Sequence, residues 1–394
     1  MKSTLITGIG ELTTNDPELG TLHDAAVVMT GNRISWVGSA NNPPDADTMV
    51  DAEGRAALPG WVDSHTHLVF AGDRTSEFIA RTAGKPYTAG GINETVRATR
   101  AASDEQLQHN LIRHLAEATA QGTTCLETKT GYGLTVHDEL RAAKTAALVD
   151  EVTFLGAHVV PPGWDADDYT HHVCTDMLDA VAAHVDWCDV FCERGAFDAD
   201  QTTAVLRAAR ERGLGLRVHG NQLGPGPGVQ VAVAEQAASV DHCTHLDSAD
   251  IDALANSDTV ATLLPACDAC THQPLPNARA LLDAGATVAL ATNCNPGSSY
   301  TTSMAYCVAT AVLQMGMSVA EAVRAATWGG ARALRRETGD GAVGVVRPGA
   351  RADLHLLDAP SAAWLAYRPG VPLTYAVWRE GHDLVPPPGG RQDR

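Results

Sequence analysis

Two hydrophobic periodicities divide the chain. Over the first sixty residues, short apolar runs such as Ala25-Ala26-Val27-Val28-Met29 and Arg33-Ile34-Ser35-Trp36-Val37 alternate with Gly, Asn and Pro turns, which predicts a small β unit. From Trp61 onward the pattern changes to short apolar strands, each followed by an Ala-rich segment with apolar residues at helical spacing. The strand candidates are 60–65, 124–128, 152–158, 188–193, 215–219, 239–242, 259–264 and 287–292. Between them, 101–119, 138–149, 201–212, 229–236 and 278–284 are amphipathic and rich in strong helix formers, as the crossovers of a parallel barrel must be. After Val345 a β-like pattern returns in Ala352-Asp353-Leu354-His355-Leu356-Leu357 and Leu373-Thr374-Tyr375-Ala376-Val377-Trp378. The expected architecture is α/β: a (β/α)8 TIM-like barrel over residues 61–345, and a small β-sandwich-like domain from both chain ends, 1–60 plus 346–394. Residues 386–394 read as a frayed end.

Length agrees with this division, because 394 residues hold a barrel of roughly 250 plus a smaller accessory unit. No run approaches the ~18 consecutive apolar residues of a membrane helix, and the first residues lack a signal-peptide pattern, so no membrane partner and a cytoplasmic location are expected. A formal charge of -19 disfavours phosphate-backbone binding, which needs a basic surface, so no nucleic-acid partner is expected. Nine cysteines, an odd number set mostly in apolar or Ala-rich segments, read as reduced core residues rather than a disulfide framework.

The sharpest chemical signal is Leu58-Pro59-Gly60-Trp61-Val62-Asp63-Ser64-His65-Thr66-His67. Strand residues two apart point the same way, so His65 and His67 can converge on one metal ion at the barrel mouth. A bare His-x-His also fits two polar loop residues. Other strand ends strengthen the metal reading: His158 closes Phe154-Leu155-Gly156-Ala157, His219 closes Leu216-Arg217-Val218, His242 closes Ser239-Val240-Asp241, and Asn293 closes Leu290-Ala291-Thr292. Active sites of this fold are built at those strand ends.

The Pro59-Gly60-x-Val62-Asp63-x-His65-x-His67 opening resembles the amidohydrolase superfamily. Within it the chain is similar, over nearly its whole length, to the imidazolonepropionase family of histidine degradation. Supporting segments are Leu68 to Arg74, Thr128-Lys129-Thr130-Gly131-Tyr132-Gly133-Leu134, Asp189-Val190-Phe191-Cys192-Glu193 and Asn295-Pro296-Gly297-Ser298-Ser299. The Gly-Tyr-Gly-Leu and Asn-Pro-Gly-Ser-Ser segments separate this family from its deaminase and dihydroorotase relatives better than the histidine pair does.

The resemblance implies hydrolytic ring opening of a small molecule, 4-imidazolone-5-propanoate, to N-formimidoyl-L-glutamate, with one Zn or Fe ion. It gives His65, His67 and His219 as metal ligands, with Asn293 at the last metal position. It places His242 beside the attacking water, to hydrogen-bond it or shuttle a proton, and Arg74 on the substrate carboxylate. Tyr132 and His158 would fix ring and arm, Asn295, Gly297 and Ser298 would form a substrate loop, and Gln222 would orient the substrate without accepting a proton. Oligomeric state is left open, a homodimer included.

The family pattern has Asp where this chain has Asn293. An amide oxygen can ligate, but it brings no charge and is no useful base near neutrality. Three explanations stand: a natural variant using His242 as base, an engineered substitution that traps substrate, or a catalytically weakened ligand-binding scaffold. Another cyclic amidohydrolase or a deaminase-like enzyme is the alternative within catalysis. Cys267-Asp268-Ala269-Cys270 with His272 lacks the second pair of a zinc site, and Lys129 is expected in a structural or substrate-side role rather than as a carbamylated metal bridge.

Overall fold

Eight short strands, each buried along almost its whole length, make a single sheet in strict sequence order. The computed structural model describes residues 2–84 and 91–387, and the backbone of 392–393. Numbered in chain order, the sheet's strands are β6 (Trp61–Asp63), β7 (Thr123–Lys129), β8 (Glu151–Ala157), β9 (Trp187–Cys192), β10 (Gly215–Gly220), β11 (Ser239–His242), β12 (Val260–Leu263) and β13 (Val288–Leu290). Burial on both faces is what a parallel sheet wrapped by helices demands, and it explains why these segments read as continuous apolar runs rather than alternating ones. The pairing from β7 through β13 is parallel, as in the register His219↔Asp241 between β10 and β11. The ring is stitched just beyond β6 and β13: Asn293 N donates to His65 O at 3.0 Å, and His67 N donates to Cys294 O at 2.9 Å. The expected barrel is present, and its seam runs through candidate site residues.

The crossover helices follow their sequence signals with small shifts. Helix Ala199–Glu211 starts at a capping box in which Asp198 and Gln201 satisfy each other's backbone N–H groups. The helix predicted over 101–119 is Asp104–Thr119, and a further helix, Ile92–Ala101, precedes it. The break falls at Ser103, whose backbone N donates to Gln106 Oε1 at 2.9 Å while its hydroxyl accepts from Gln106 N at 3.3 Å.

The chain ends form one separate sheet. Its strands are β1 (Ser3–Thr13), β2 (Thr21–Thr30), β3 (Arg33–Ser39), β4 (Thr48–Asp51) and β5 (Ala56–Leu58), with β14 (Leu354–Leu357), β15 (Thr374–Arg379) and β16 (His382–Val385). β5 pairs antiparallel with β14, which joins the two ends of the sequence through His355↔Leu58. Ile6, Ile9, Leu12, Val27, Leu356 and Trp378 lie in its core. Of the 386–394 tail, Gln392–Asp393 pairs antiparallel with β4, and the flanking residues 388–391 and 394 lie outside the described residues. The chain divides into two compact units, residues 1–63 with 116–125 and 303–394, and residues 64–115 with 126–302. Among the described residues no helix is long and apolar enough to cross a membrane.

Candidate metal centre

His65 and His67 follow β6, His219 lies near the end of β10, and all three are buried. Their candidate ligand nitrogens lie within 4.8 Å of one another, the one such cluster of three among the described residues. The two ring nitrogens His65 Nε2 and His67 Nε2 face each other at 3.3 Å. Burial holds His65 and His67 well below the ordinary histidine range, and the neighbouring cationic and imidazole groups push the same way. Neutral imidazoles with converging lone pairs are the form a metal ion takes up.

Carboxylates fix two of these rings from behind. His65 Nδ1 lies 2.6 Å from Asp241 Oδ2, and His219 Nδ1 lies 3.0 Å from Asp189 Oδ1. A carboxylate accepts only, so each Nδ1 carries the proton and each Nε2 lone pair is left for the cavity. Asp189 and Asp241 are in turn held by Lys129, whose Nζ lies 2.9 Å from Asp189 Oδ2 and 3.8 Å from Asp241 Oδ2, with Glu127 Oε1 at 2.8 Å. Arg217 lies 3.6 Å from Asp241 Oδ2 and donates to Ser64 O at 2.7 Å, which fixes the backbone immediately before His65. Burial alone would raise the Asp189 carboxyl, but His219 and Lys129 hold it well below the usual carboxylate range. Burial would likewise raise Asp241, and Arg217 and Lys129 reverse that. Three carboxylates and two cations, all fully buried, lie beneath the three histidines, one carboxylate in excess. That arrangement favours a cation above it. Lys129 therefore has a structural place in this cluster and does not line the cavity.

Of the sequence-predicted residues, His67, Arg74, Tyr132, His158, His219, Gln222, His242, Asn293, Asn295 and Ser298 line one cavity, with Ile92 and Phe191 as its apolar wall, and His65 lies behind His67 outside that lining. Gly297 lines the neighbouring cavity instead, together with Arg74 and Ser298. Asn293 has φ +52°, a left-handed conformation that Asn tolerates better than most residues. Its Oδ1 is buried without a hydrogen-bond partner, while Nδ2 lies 3.5 Å from Ser298 Oγ. An orphaned amide oxygen lining the same cavity as His67 and His219 fits a fourth metal ligand. His242 also has positive φ, +81°, and its buried Nδ1 makes no hydrogen bond. Burial first, and then His219, keep His242 neutral.

Each cavity wall has its own support. Glu139 accepts from the backbone N–H groups of Gly131, Gly133 and Leu134 at 2.9, 2.7 and 2.7 Å, which shapes the turn that carries Tyr132. Gly131 O lies 2.9 Å from His158 Nδ1, and Gly131 has φ +106° with no room for a Cβ beside that ring. Burial and His219 lower the His158 pKa to about 4. Gln222 Nε2 donates to Cys267 Sγ at 3.8 Å, and Glu193 accepts from the Gln222 backbone N–H. Two features differ from the sequence picture. The Arg74 fork is engaged by Glu77, with Nε to Oε2 and NH2 to Oε1 both at 2.7 Å. The Asn295 carboxamide accepts from Gly297 N and Ser298 N at 2.8 and 2.9 Å and donates to Asn293 O at 2.7 Å, so it builds the loop as well as lining the cavity. Gly297 is required because a Cβ there would meet Arg74 NH1.

Sequence reasoning missed Asp189 and Asp241 as ring-orienting groups, along with Glu127, Arg217 and Glu139. For all but Glu139, which lies on helix Val136–Ala146, the available signal was an ionisable residue inside a buried strand, a placement that is costly unless it is paired.

The sequence matches the Amidohydrolase family over residues 56–378. It is 74% identical over 382 residues to the imidazolonepropionase of Saccharopolyspora erythraea, covering 97% of this chain and 98% of that protein. The imidazolonepropionase of Arthrobacter sp. (strain FB24) is 62% identical over 395 residues, with 96% and 99% covered. The chain belongs to the imidazolonepropionase family of amidohydrolases. A solved structure of atrazine chlorohydrolase TrzN from Arthrobacter aurescens TC1, complexed with zinc, superposes with a TM-score of 0.72 at 19% identity over 97% of this chain and 95% of that one. At that identity the likeness concerns the fold. Family membership makes the chain a hydrolase, and the family together with the three-histidine cluster points to a bound metal ion.

Proposed function

We propose that this chain hydrolyses 4-imidazolone-5-propanoate to N-formimidoyl-L-glutamate in histidine degradation, using one Zn or Fe ion held by His65, His67, His219 and Asn293 Oδ1. The observation that carries the reading is the convergence of three buried histidine nitrogens within 4.8 Å in a chain so similar to imidazolonepropionases. Bound there, the ion supplies Lewis acidity, withdrawing charge from a carbonyl oxygen and bringing the pKa of water towards ~7.

The chain's own residues do the rest. Arg74, steadied by Glu77, brings its guanidinium to the cavity wall, where it meets the propionate carboxylate. Tyr132 and His158 pack beside His67, with ring centroids 6.1 and 5.7 Å from it, and confine the substrate ring. Gln222, its Nε2 held by Cys267, presents Oε1 to a ring N–H. Water adds to the ring carbonyl carbon, the adjacent carbon–nitrogen bond breaks, and His242 takes the water proton and returns it to the departing ring nitrogen. Asn293 cannot take that proton, which leaves His242 as the cavity's base. Nine cysteines, none of them in a disulfide among the described residues, fit a reducing compartment and hence the cytoplasm.

A second reading has one specific observation in its favour. Asn293 lacks the carboxylate of the family pattern, which suits a scaffold that binds metal and ligand but turns over slowly. Product analysis separates the two: incubation of metal-loaded protein with 4-imidazolone-5-propanoate yields N-formimidoyl-L-glutamate in the first reading. Tight ligand binding without product supports the second.

A further inference from the structure

Tyr132 and His158 line the cavity, and the backbone contact that joins them is governed by a carboxylate that does not line it. We infer that Glu139 is a positioning residue for ligand binding. By gripping the chain on both sides of Tyr132 it aims the Gly131 carbonyl at His158 Nδ1, and so fixes His158 as a hydrogen-bond acceptor in the cavity wall.

Glu139 projects from helix Val136–Ala146 and is completely buried. Its Oε2 accepts from Gly131 N at 2.9 Å, and its Oε1 accepts from Gly133 N and Leu134 N, both at 2.7 Å. Donors face both oxygens, so the ionised form is the one that satisfies the set. Burial raises the carboxyl, and hydrogen bonds from Thr130 and from the three N–H groups oppose that rise. The gripped N–H groups of Gly131 and Gly133 flank Tyr132, and the Gly131 carbonyl between them lies 2.9 Å from His158 Nδ1. A carbonyl only accepts, so that nitrogen carries the proton and Nε2 keeps its lone pair. A neutral acceptor in the wall suits a ligand that brings a ring N–H. No slack separates the turn from the helix, since a Cβ on Gly133 would come within 2.7 Å of Glu139 N. A change at the carboxylate therefore reaches the ring.

This inference rests on the substrate reading proposed above, and the test keeps the two apart. Steady-state kinetics with 4-imidazolone-5-propanoate are compared for the metal-loaded unmodified chain, Glu139→Gln, His158→Ala and the double variant, with metal affinity measured by chelator competition. Glutamine has one amide oxygen and must turn an N–H toward a backbone donor, so it cannot hold all three N–H groups. Glu139→Gln should raise KM about tenfold and alter kcat less than about threefold, because the binding it supports is shared by ground and transition states. Metal affinity should stay within about twofold, the three-histidine cluster being supported from elsewhere. In the His158→Ala background the KM effect should fall below about threefold, since the residue through which Glu139 acts is gone. Nitrogen NMR of the unmodified chain should show His158 in the Nδ1–H tautomer, its signal identified by its loss in His158→Ala; this measurement does not depend on how stable any Glu139 variant is. Unchanged kinetics in Glu139→Gln, an equal KM effect in both backgrounds, or an Nε2–H tautomer of His158 would each overturn the inference. Joint loss of metal and substrate binding in Glu139→Gln would assign Glu139 to the fold alone, which also overturns it. If the unmodified chain turns over none of this substrate, the substrate reading fails first and takes this inference with it.

Discussion

His65 Nδ1 and Asp241 Oδ2 lie 2.6 Å apart, with both side chains completely buried. The contact sets the tautomer of a candidate metal ligand, and Lys129 and Arg217 hold the carboxylate in place from the other side. Asp241→Asn keeps the shape but loses the charge and one accepting oxygen. It should weaken metal affinity roughly 10–100-fold, as loss of such a partner typically does. Chelator competition measures the change, and an unaltered affinity would mean that the ring is held by packing.

Asn293→Asp should act in the opposite direction. It adds a negative charge at the cavity and supplies a base where the amide offers none, so metal affinity and turnover should both rise by about tenfold or more. The comparison requires full metal occupancy in both proteins. Equal or lower turnover by the Asp variant would show that His242 already provides the base and that the amide is well suited to it.

Lys129→Met tests the ion cluster as structure. Removing the cation leaves Glu127 and Asp189, both completely buried, without their closest counter-charge. Loss of one partner from a buried pair costs about 3–5 kcal/mol, to be read from urea unfolding of the apo protein. A loss below ~1 kcal/mol would show that Arg217 and the surrounding dipoles suffice.

Asp268 predicts a pH dependence away from the metal site. Burial raises its carboxyl to about 7, against which a hydrogen bond from Thr244 Oγ1 at 2.8 Å works only partly. Its other oxygen is buried without a partner. The folded state therefore holds a proton that the unfolded chain releases near the ordinary carboxylate pKa. Between that value and about 7 the folded state binds more protons, so this group's contribution to stability falls as pH rises, roughly tenfold in the folding constant per pH unit. Asp268→Asn should remove the slope and stabilise the protein more at pH ~8 than at pH ~5. A gain that does not change with pH would contradict this assignment.

The sequence carried the barrel because parallel strands buried on both faces appear as short apolar runs between amphipathic helices, from β7 through β13. It carried the histidines because they end those runs. What it concealed follows from distance along the chain. Asp241 sits beside His242 in sequence but orients His65, 176 positions away, and only the closed barrel brings them together. Arg74 was legible as a cation near the site, whereas its pairing with Glu77 depends on how helix Thr75–Thr82 begins. Asn295 shows the reverse case: a loop motif recognised by its resemblance proves to be internally hydrogen-bonded, since a short loop must satisfy its own backbone donors. The start of helix Asp104–Thr119, later than the 101 expected, is a local effect of the reciprocal cap between Ser103 and Gln106.

The central claim is that one ion, held at His65, His67 and His219, makes this chain a hydrolase of 4-imidazolone-5-propanoate. The most direct measurement is a titration of apo protein with Zn or Fe, following loss of the substrate's ultraviolet absorbance at each step. Activity should rise linearly and break at one equivalent of metal, and His219→Ala should abolish the rise. Turnover by the apo protein, a break at two equivalents, or no turnover at saturating metal and high enzyme concentration would contradict the claim.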